Sequence, residues 1–139
     1  MSAEQNKAIV RRWFAEMINT NNAGIAEELI DTHYVNHFIP DQTGPAVEQQ
    51  IMTMFFSAFP DLEGTIEDLF AEGDRVCVRL IWRGTNHGSF NGMPPTGKYV
   101  AFGTTNIFRV VNGKIAENWP QVDMMSLMQQ LGAIPAPGQ

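Results

Sequence analysis

The sequence predicts an α+β domain in which a strongly curved antiparallel sheet is covered by N-terminal helices, forming a cone with an internal pocket. Two observations predict it. Apolar residues recur at helical spacing early in the chain, as in Ile9, Val10, Trp13, Phe14, Met17 and Ile18, and later alternate, as in Val76, Val78, Leu80 and Trp82. A twisted sheet with one apolar face needs a cover, and the helices that precede it supply one.

Ser2 followed by Gln5 is a capping-box pattern and starts a helix from about residue 3 to about residue 19. Asn19-Thr20-Asn21-Asn22 ends it, and Asn22 can cap a shorter helix carrying Ile25, Ala26, Leu29 and Ile30. Asp31 to Pro40 is aromatic and β-branched but rich in polar side chains, which suits an irregular segment or a short strand. Gly44-Pro45 opens a third helix with proline in its first turn, pointing Val47, Ile51, Met54, Phe55 and Phe59 inward until Pro60 stops it.

From there the period is two. Leu62, Gly64, Ile66, Asp68 and Phe70 share one face of a strand, and Glu72-Gly73-Asp74 turns into a second strand, Arg75 to Asn86, with Arg79 and Arg83 opposite its apolar side. His87 to Lys98 is too rich in glycine and proline for a sheet interior and reads as a long loop. A third strand, Tyr99 to Val111, meets a fourth across Asn112-Gly113, the strongest hairpin signal in the chain. A final helix runs from about Met124 to Leu131, stopped by Gly132, and Ala133 to Gln139 forms a tail.

A length of 139 residues fits a single domain spanning residues 1–139. The net charge of −6 makes nucleic acid and anionic membrane poor partners. No apolar run is long enough to cross a bilayer and the amino terminus has no signal-peptide layout, so the expected compartment is cytoplasmic. The lone Cys77 lies in a strand without a basic cluster near it in sequence, and reads as a packed thiol.

The last hairpin strand carries the first candidate for chemistry. Alternation puts Ile115, Glu117, Trp119, Gln121 and Asp123 on one face and Ala116, Asn118 and Val122 on the other. If the first face lines a cavity, an indole wall beside a carboxylate can hold a flat organic molecule and move a proton on it. Asp123 also directly precedes a helix, where it is a favoured N-cap, and a bulge at Pro120 would separate it from Trp119.

His33 and His37, near Asp31 and Asp41, suggest a metal. The segment has no helical pattern to converge them, so no metal is expected, and His37 beside Phe38 is placed at the pocket. His87 begins the long loop as its anchor or as a substrate contact. Ser89 sits in Gly-Ser-Phe-Asn-Gly, which is not a nucleophile elbow, and no phosphate-binding loop or dinucleotide fingerprint is present.

Several segments in order resemble the SnoaL-like polyketide cyclases, or ester cyclases, of the nuclear-transport-factor-like cone fold. They are Tyr34-Val35-Asn36-His37, Phe59-Pro60-Asp61-Leu62, the run from Gly84 to Lys98, Phe108-Arg109-Val110, Gly113-Lys114-Ile115, Glu117-Asn118-Trp119, Asp123, and Gln130-Leu131-Gly132. Many relatives carry histidine where this chain has Asn118. The resemblance implies a deep apolar pocket, no metal or organic cofactor, and a homo-oligomer, dimer or tetramer, formed through the sheet. It also implies a small hydrophobic or aromatic ligand and an aspartate, here Asp123, as acid/base in an intramolecular aldol closure. The expected site is therefore catalytic Asp123, with His37, His87, Trp119, Phe55, Phe59 and Trp13 around the substrate. The alternatives are a noncatalytic protein that binds a hydrophobic small molecule, and an epoxide-hydrolase-like or isomerase activity in the same pocket.

Overall fold

A computed structural model describes residues 2–19 and 24–135 of the chain. The capping box forms: Ser2 Oγ accepts from the Gln5 amide at 3.1 Å and the Gln5 side chain accepts from the Ser2 amide at 2.8 Å. Helix α1 (Ala3–Arg12) follows, but it does not continue to residue 19 as an α-helix. From Trp13 to Ile18 the chain is π-helical, and the Asn19 amide donates to the Phe14 carbonyl, five residues back, at 3.0 Å. The wider turn buries Trp13, Phe14, Met17 and Ile18 together. Asn19 then fastens this turn to the sheet by two bonds to the Gly64 backbone, at 2.9 and 3.2 Å.

Helix α2 (Ile25–Leu29) buries Ile25, Ala26 and Leu29. The expected cap at Asn22, the rest of the break at Thr20 and Asn21, and the tail from residue 136 lie outside the described residues. Strand β1 (Ile30–Asn36) occupies the segment that the sequence left as irregular or extended. Helix α3 (Pro45–Ala58) opens on its proline. Gly44 precedes it at φ +95°, a left-handed conformation that favours glycine, and its amide reaches the Tyr34 carbonyl at 2.8 Å.

Strands β2 (Glu63–Glu72), β3 (Arg75–Thr85), β4 (Tyr99–Val111) and β5 (Lys114–Val122) form an antiparallel meander, and helix α4 (Met124–Leu131) follows. The sheet order is β1-β5-β4-β3-β2, and β1 runs parallel to β5, so the sheet is mixed where an all-antiparallel one was expected. A strand entered from one helix and left toward another is not held antiparallel by a hairpin. Val76, Val78, Leu80 and Trp82 of β3 and Val100, Phe102, Phe108 and Val110 of β4 are buried on the face that the helices cover.

One detail of parity differs from the sequence reading, and one that it left open is decided. Ile66 pairs with Leu80 but Asp68 with Arg79, so Glu67 is an extra residue in β2. The bulge sends Phe70 to the outer face, 62% exposed, and brings Leu69 and Ala71 in against the core. Pro120 causes no bulge, since it pairs with Asn106 in register and the irregularity of that ladder lies between Arg109 and Val110. The His37 amide makes the last link between β1 and β5, to the Asn118 carbonyl at 3.0 Å. Pro120 lies beyond it, where its missing amide forgoes no bond to β1.

The loop after β3 is anchored by Asn86 rather than by the exposed His87. Asn86 is 1% exposed; its Nδ2 donates to the Gly88 carbonyl at 2.8 Å, and its Oδ1 accepts from the Thr96 amide at 2.8 Å and hydroxyl at 2.9 Å. Asn86→Ala removes the bonds that hold Gly88 and Thr96, a loss of about 0.5–1.5 kcal/mol for each. The expected outcome is a lower urea midpoint and faster proteolysis within residues 87–98.

Candidate functional site: an aromatic cavity with a buried carboxylate

Helices and inner sheet face enclose a cavity of about 80 Å³. Trp13 and Phe14 of the π-helical turn, Phe55 of α3, Trp82 of β3, and Phe102 and Phe108 of β4 form its walls. The walls brace one another: the Phe14 ring lies 6.0 Å from Trp82 and 5.8 Å, edge-on, from Phe108. Phe38 at the rim is 41% exposed, and Met52 is an unbranched, adaptable wall.

Two polar groups interrupt the apolar lining. On β4, Thr104 Oγ1 accepts from Trp82 Nε1 at 2.8 Å and from Asn106 Nδ2 at 3.2 Å. Opposite, Asn36 of β1, Glu48 of α3 and Asn118 of β5 meet in one cluster backed by Tyr34. Glu48 is 5% exposed; the Tyr34 hydroxyl donates to its Oε1, and Asn36 Nδ2 donates to the same oxygen at 2.5 Å. Asn36 Nδ2 also lies 3.1 Å from the Tyr34 hydroxyl. Burial pushes the Glu48 carboxyl above the usual range, against the opposing pull of hydrogen bonds from Tyr34, Asn36 and Asn118. Burial, and next the Glu48 charge, drive the Tyr34 phenol well above its ordinary value. Asn118 Oδ1 is buried and has no hydrogen-bond partner among the described residues.

Sequence reasoning missed Glu48, and the signal was present. It lies three, four and seven residues before Ile51, Met52 and Phe55, on the same buried stripe of α3. An acid in the first turns of a helix is ordinarily explained by the helix dipole, which hides such a residue in plain view. Asn36 was visible only as part of a quoted family segment, and alternation placed Asn118 on the face opposite Asp123 without giving it a role.

The expected residues divide into three groups. Trp13 and Phe55 line the cavity. Phe59 is fully buried behind it, 5.7 Å from Phe90 and 6.4 Å from Phe102 between ring centres. Trp119, His37 and Asp123 lie away from it. The inferred parity holds from Glu117 to Asp123, but Asn118, Pro120 and Val122 are the residues that face the cavity.

On the outer face the His37 ring stacks on Trp119 at 5.2 Å, with the Arg75 guanidinium 4.5 Å from the Trp119 centroid. His37 Nε2 lies 2.6 Å from Glu117 Oε2, and Arg109 Nε donates to Glu117 Oε1 at 3.0 Å. Burial pushes Glu117 up, but these two partners outweigh it and hold its carboxyl below the usual range. Asp123 is exposed and caps α4, its Oδ1 accepting from the Ser126 amide at 3.1 Å. It borders a shallow outer groove shared with Arg79, Thr105 and Gln121. His87 is exposed in its loop. Among the described residues no group of three or more His, Cys, Asp or Glu is placed to hold a metal ion, and no helix is long and apolar enough to cross a membrane.

The raised Glu48 carboxyl has a consequence for stability. A group that stays protonated to higher pH in the fold than in the unfolded chain stabilises fully below the ordinary carboxylate range and loses that contribution as pH climbs to its own raised value. Relative to Glu48→Gln, the wild type is expected to lose stability across that interval. Denaturation midpoints of the two proteins, measured against pH, check this; a flat difference means that Glu48 titrates normally.

The comparisons with known proteins agree with this architecture. A family model described as SnoaL-like polyketide cyclase matches residues 8–131. The chain is 30% identical over 132 residues to the aklanonic acid methyl ester cyclase DnrD of Streptomyces peucetius, covering 89% of this chain and 88% of that protein. It is 29% identical over 121 residues to the nogalonic acid methyl ester cyclase of Streptomyces nogalater, covering 82% and 88%. The crystal structure of a SnoaL-like polyketide cyclase from Jannaschia sp. CCS1 superposes with a TM-score of 0.84 at 26% identity, over 96% of this chain and 95% of that one. With the family match running from α1 to α4 over the same helix-covered sheet, the chain belongs to the SnoaL-like polyketide cyclase family.

Proposed function

We propose that this protein is a cofactor-independent enzyme that uses acid/base chemistry to close a ring on an aromatic or small apolar carbonyl compound. The observation that carries the reading is a buried carboxyl and amide cluster opening into a cavity whose other walls are aromatic. Flat walls hold the substrate folded, which brings its reacting carbons together before any bond changes. A base in the cavity takes a proton from the carbon α to one carbonyl. The electron pair passes to that carbonyl oxygen, the resulting enolate carbon bonds to a second carbonyl carbon, and the displaced π pair becomes an alkoxide. The alkoxide recovers the proton. The sum is an isomerisation that consumes no oxidant, reductant or cofactor.

Two relatives named for methyl ester cyclisation support an aryl polyketide ester as the substrate class. A cytoplasmic setting belongs to the same reading and suits the free thiol of Cys77. So does self-association through the outer sheet face, where Phe70 and Ile107 are exposed in one cross-strand row with Cys77 and Trp119. The mainly apolar, aromatic lining also suits one second reading, a binding protein that holds a hydrophobic ligand without changing it.

Incubation with aklanonic acid methyl ester, followed by chromatography and mass spectrometry, separates the two. The expected outcome is a product of unchanged mass and altered retention, formed at a rate proportional to protein. Recovery of bound, unaltered ester would support the binding reading. Because Phe38 stands at the rim, Phe38→Ala is expected to raise kcat/KM for this bulky ester while leaving a small ketone unaffected.

A further inference from the structure

We propose that Glu48, rather than Asp123, is the group that moves the proton in this cavity, and that Asn118 Oδ1 receives an enolic or phenolic hydroxyl of the substrate. The assignment rests on the acid/base reading above and deepens it. Glu48 lines the cavity, whereas Asp123 is exposed and occupied as a helix cap. In the cluster, Tyr34 and Asn36 both donate to Glu48 Oε1. These bonds, with that from Asn118, hold the carboxyl in place at the cavity lining, where a substrate carbon can approach it.

Asn118 supplies an independent observation. It is 5% exposed, lines the same cavity, and its Oδ1 has no partner. A buried carbonyl oxygen without a donor costs free energy comparable to a lost hydrogen bond, and a ligand that brings an O–H recovers it. The acceptor adjoins the base, so the ligand class is a ketone or ester whose acidic carbon lies near a hydroxyl: a hydroxyaryl ketone, or a 1,3-dicarbonyl compound in its enol form. Such carbons are also the ones acidic enough for a carboxylate to deprotonate.

The proton balance is closed. The Glu48 carboxylate takes the α-proton and becomes the carboxylic acid while the C–H pair becomes the enolate. The same acid then returns the proton to the oxygen of the carbonyl that is attacked, or to carbon if no second carbonyl is present. The raised carboxyl pKa makes Glu48 a stronger base than an exposed carboxylate. Of the elements packed on α3, β1 presents Tyr34 to Glu48 while its Asp31 and His33 lie 3.7 Å apart toward solvent, and α2 carries its Glu27 and Glu28 exposed. Asn118, from β5, faces Glu48 as a neutral amide.

The test is hydrogen–deuterium exchange at the methyl group of 2′-hydroxyacetophenone in D2O, followed by proton NMR. It reads α-proton transfer without requiring ring closure. Wild type and Asp123→Asn are expected to catalyse exchange equally, and Glu48→Gln to be slower by roughly 10²–10⁴-fold, the usual size of a general-base contribution. The wild-type rate should rise with pH through an inflection above the ordinary carboxylate range. Asn118→Leu is expected to raise KM for the hydroxyketone more than for acetophenone, since only the former loses the acceptor for its hydroxyl.

Normal exchange by Glu48→Gln, or its loss in a folded Asp123→Asn, overturns the assignment, as does absence of catalysed exchange in the wild type. If Glu48→Gln does not fold, the wild-type pH profile decides: an inflection within the ordinary carboxylate range overturns the proposal. Catalysed exchange without cyclisation of the polyketide ester would leave Glu48 as the base and remove the ring-closing reading.

Discussion

The Glu48 carboxyl lies where α3, β1 and β5 converge, and its partners come from each neighbouring strand: Tyr34 and Asn36 from β1, Asn118 from β5. A carboxyl this deep is tolerable only if its oxygens are satisfied, because an unpartnered charge in an apolar interior costs several kcal/mol. The requirement acts outward from the cluster. Gly44 must turn sharply to deliver α3 at the right height against Tyr34, and β1 must run alongside β5 for Asn36 and Asn118 to share one carboxyl. The parallel pairing of β1 with β5 is thus tied to the polar end of the cavity as well as to the sheet.

Much of this fold was legible because the signals were local. Asn112-Gly113 adopts positive φ at both residues, 51° and 80°, and joins β4 to β5 as the hairpin signal predicted. The capping box, the proline start of α3 and the Gly132 stop of α4 are likewise short-range chemistry. Less legible were features set by distant partners. Nothing near Glu67 announces its bulge against β3, and nothing near Trp13 announces the π-helical turn.

The site was harder still. Alternation correctly grouped Glu117, Trp119, Gln121 and Asp123, but parity alone does not tell which face of a strand is inside. Both faces of β5 carry aromatic or polar residues, so composition did not break the tie. Trp13 and Phe55 were recoverable because a helix has one apolar stripe and its direction is unambiguous. Glu48 sat on that stripe as an acid among hydrophobes, a local inconsistency of the kind that marks sites where folding preferences yield to function.

Among the described residues, the early end of β1 leaves a stretch of β5 beside the cavity with one side free of any strand. An unpaired strand edge invites a second chain to add itself, and here an added strand would lie across the rim formed by Phe38 and Val122. Pro120 stands in that stretch, and a residue without an amide hydrogen offers a newcomer a broken ladder. The proline that could have bent the strand instead leaves that edge of β5 a poor template for backbone pairing.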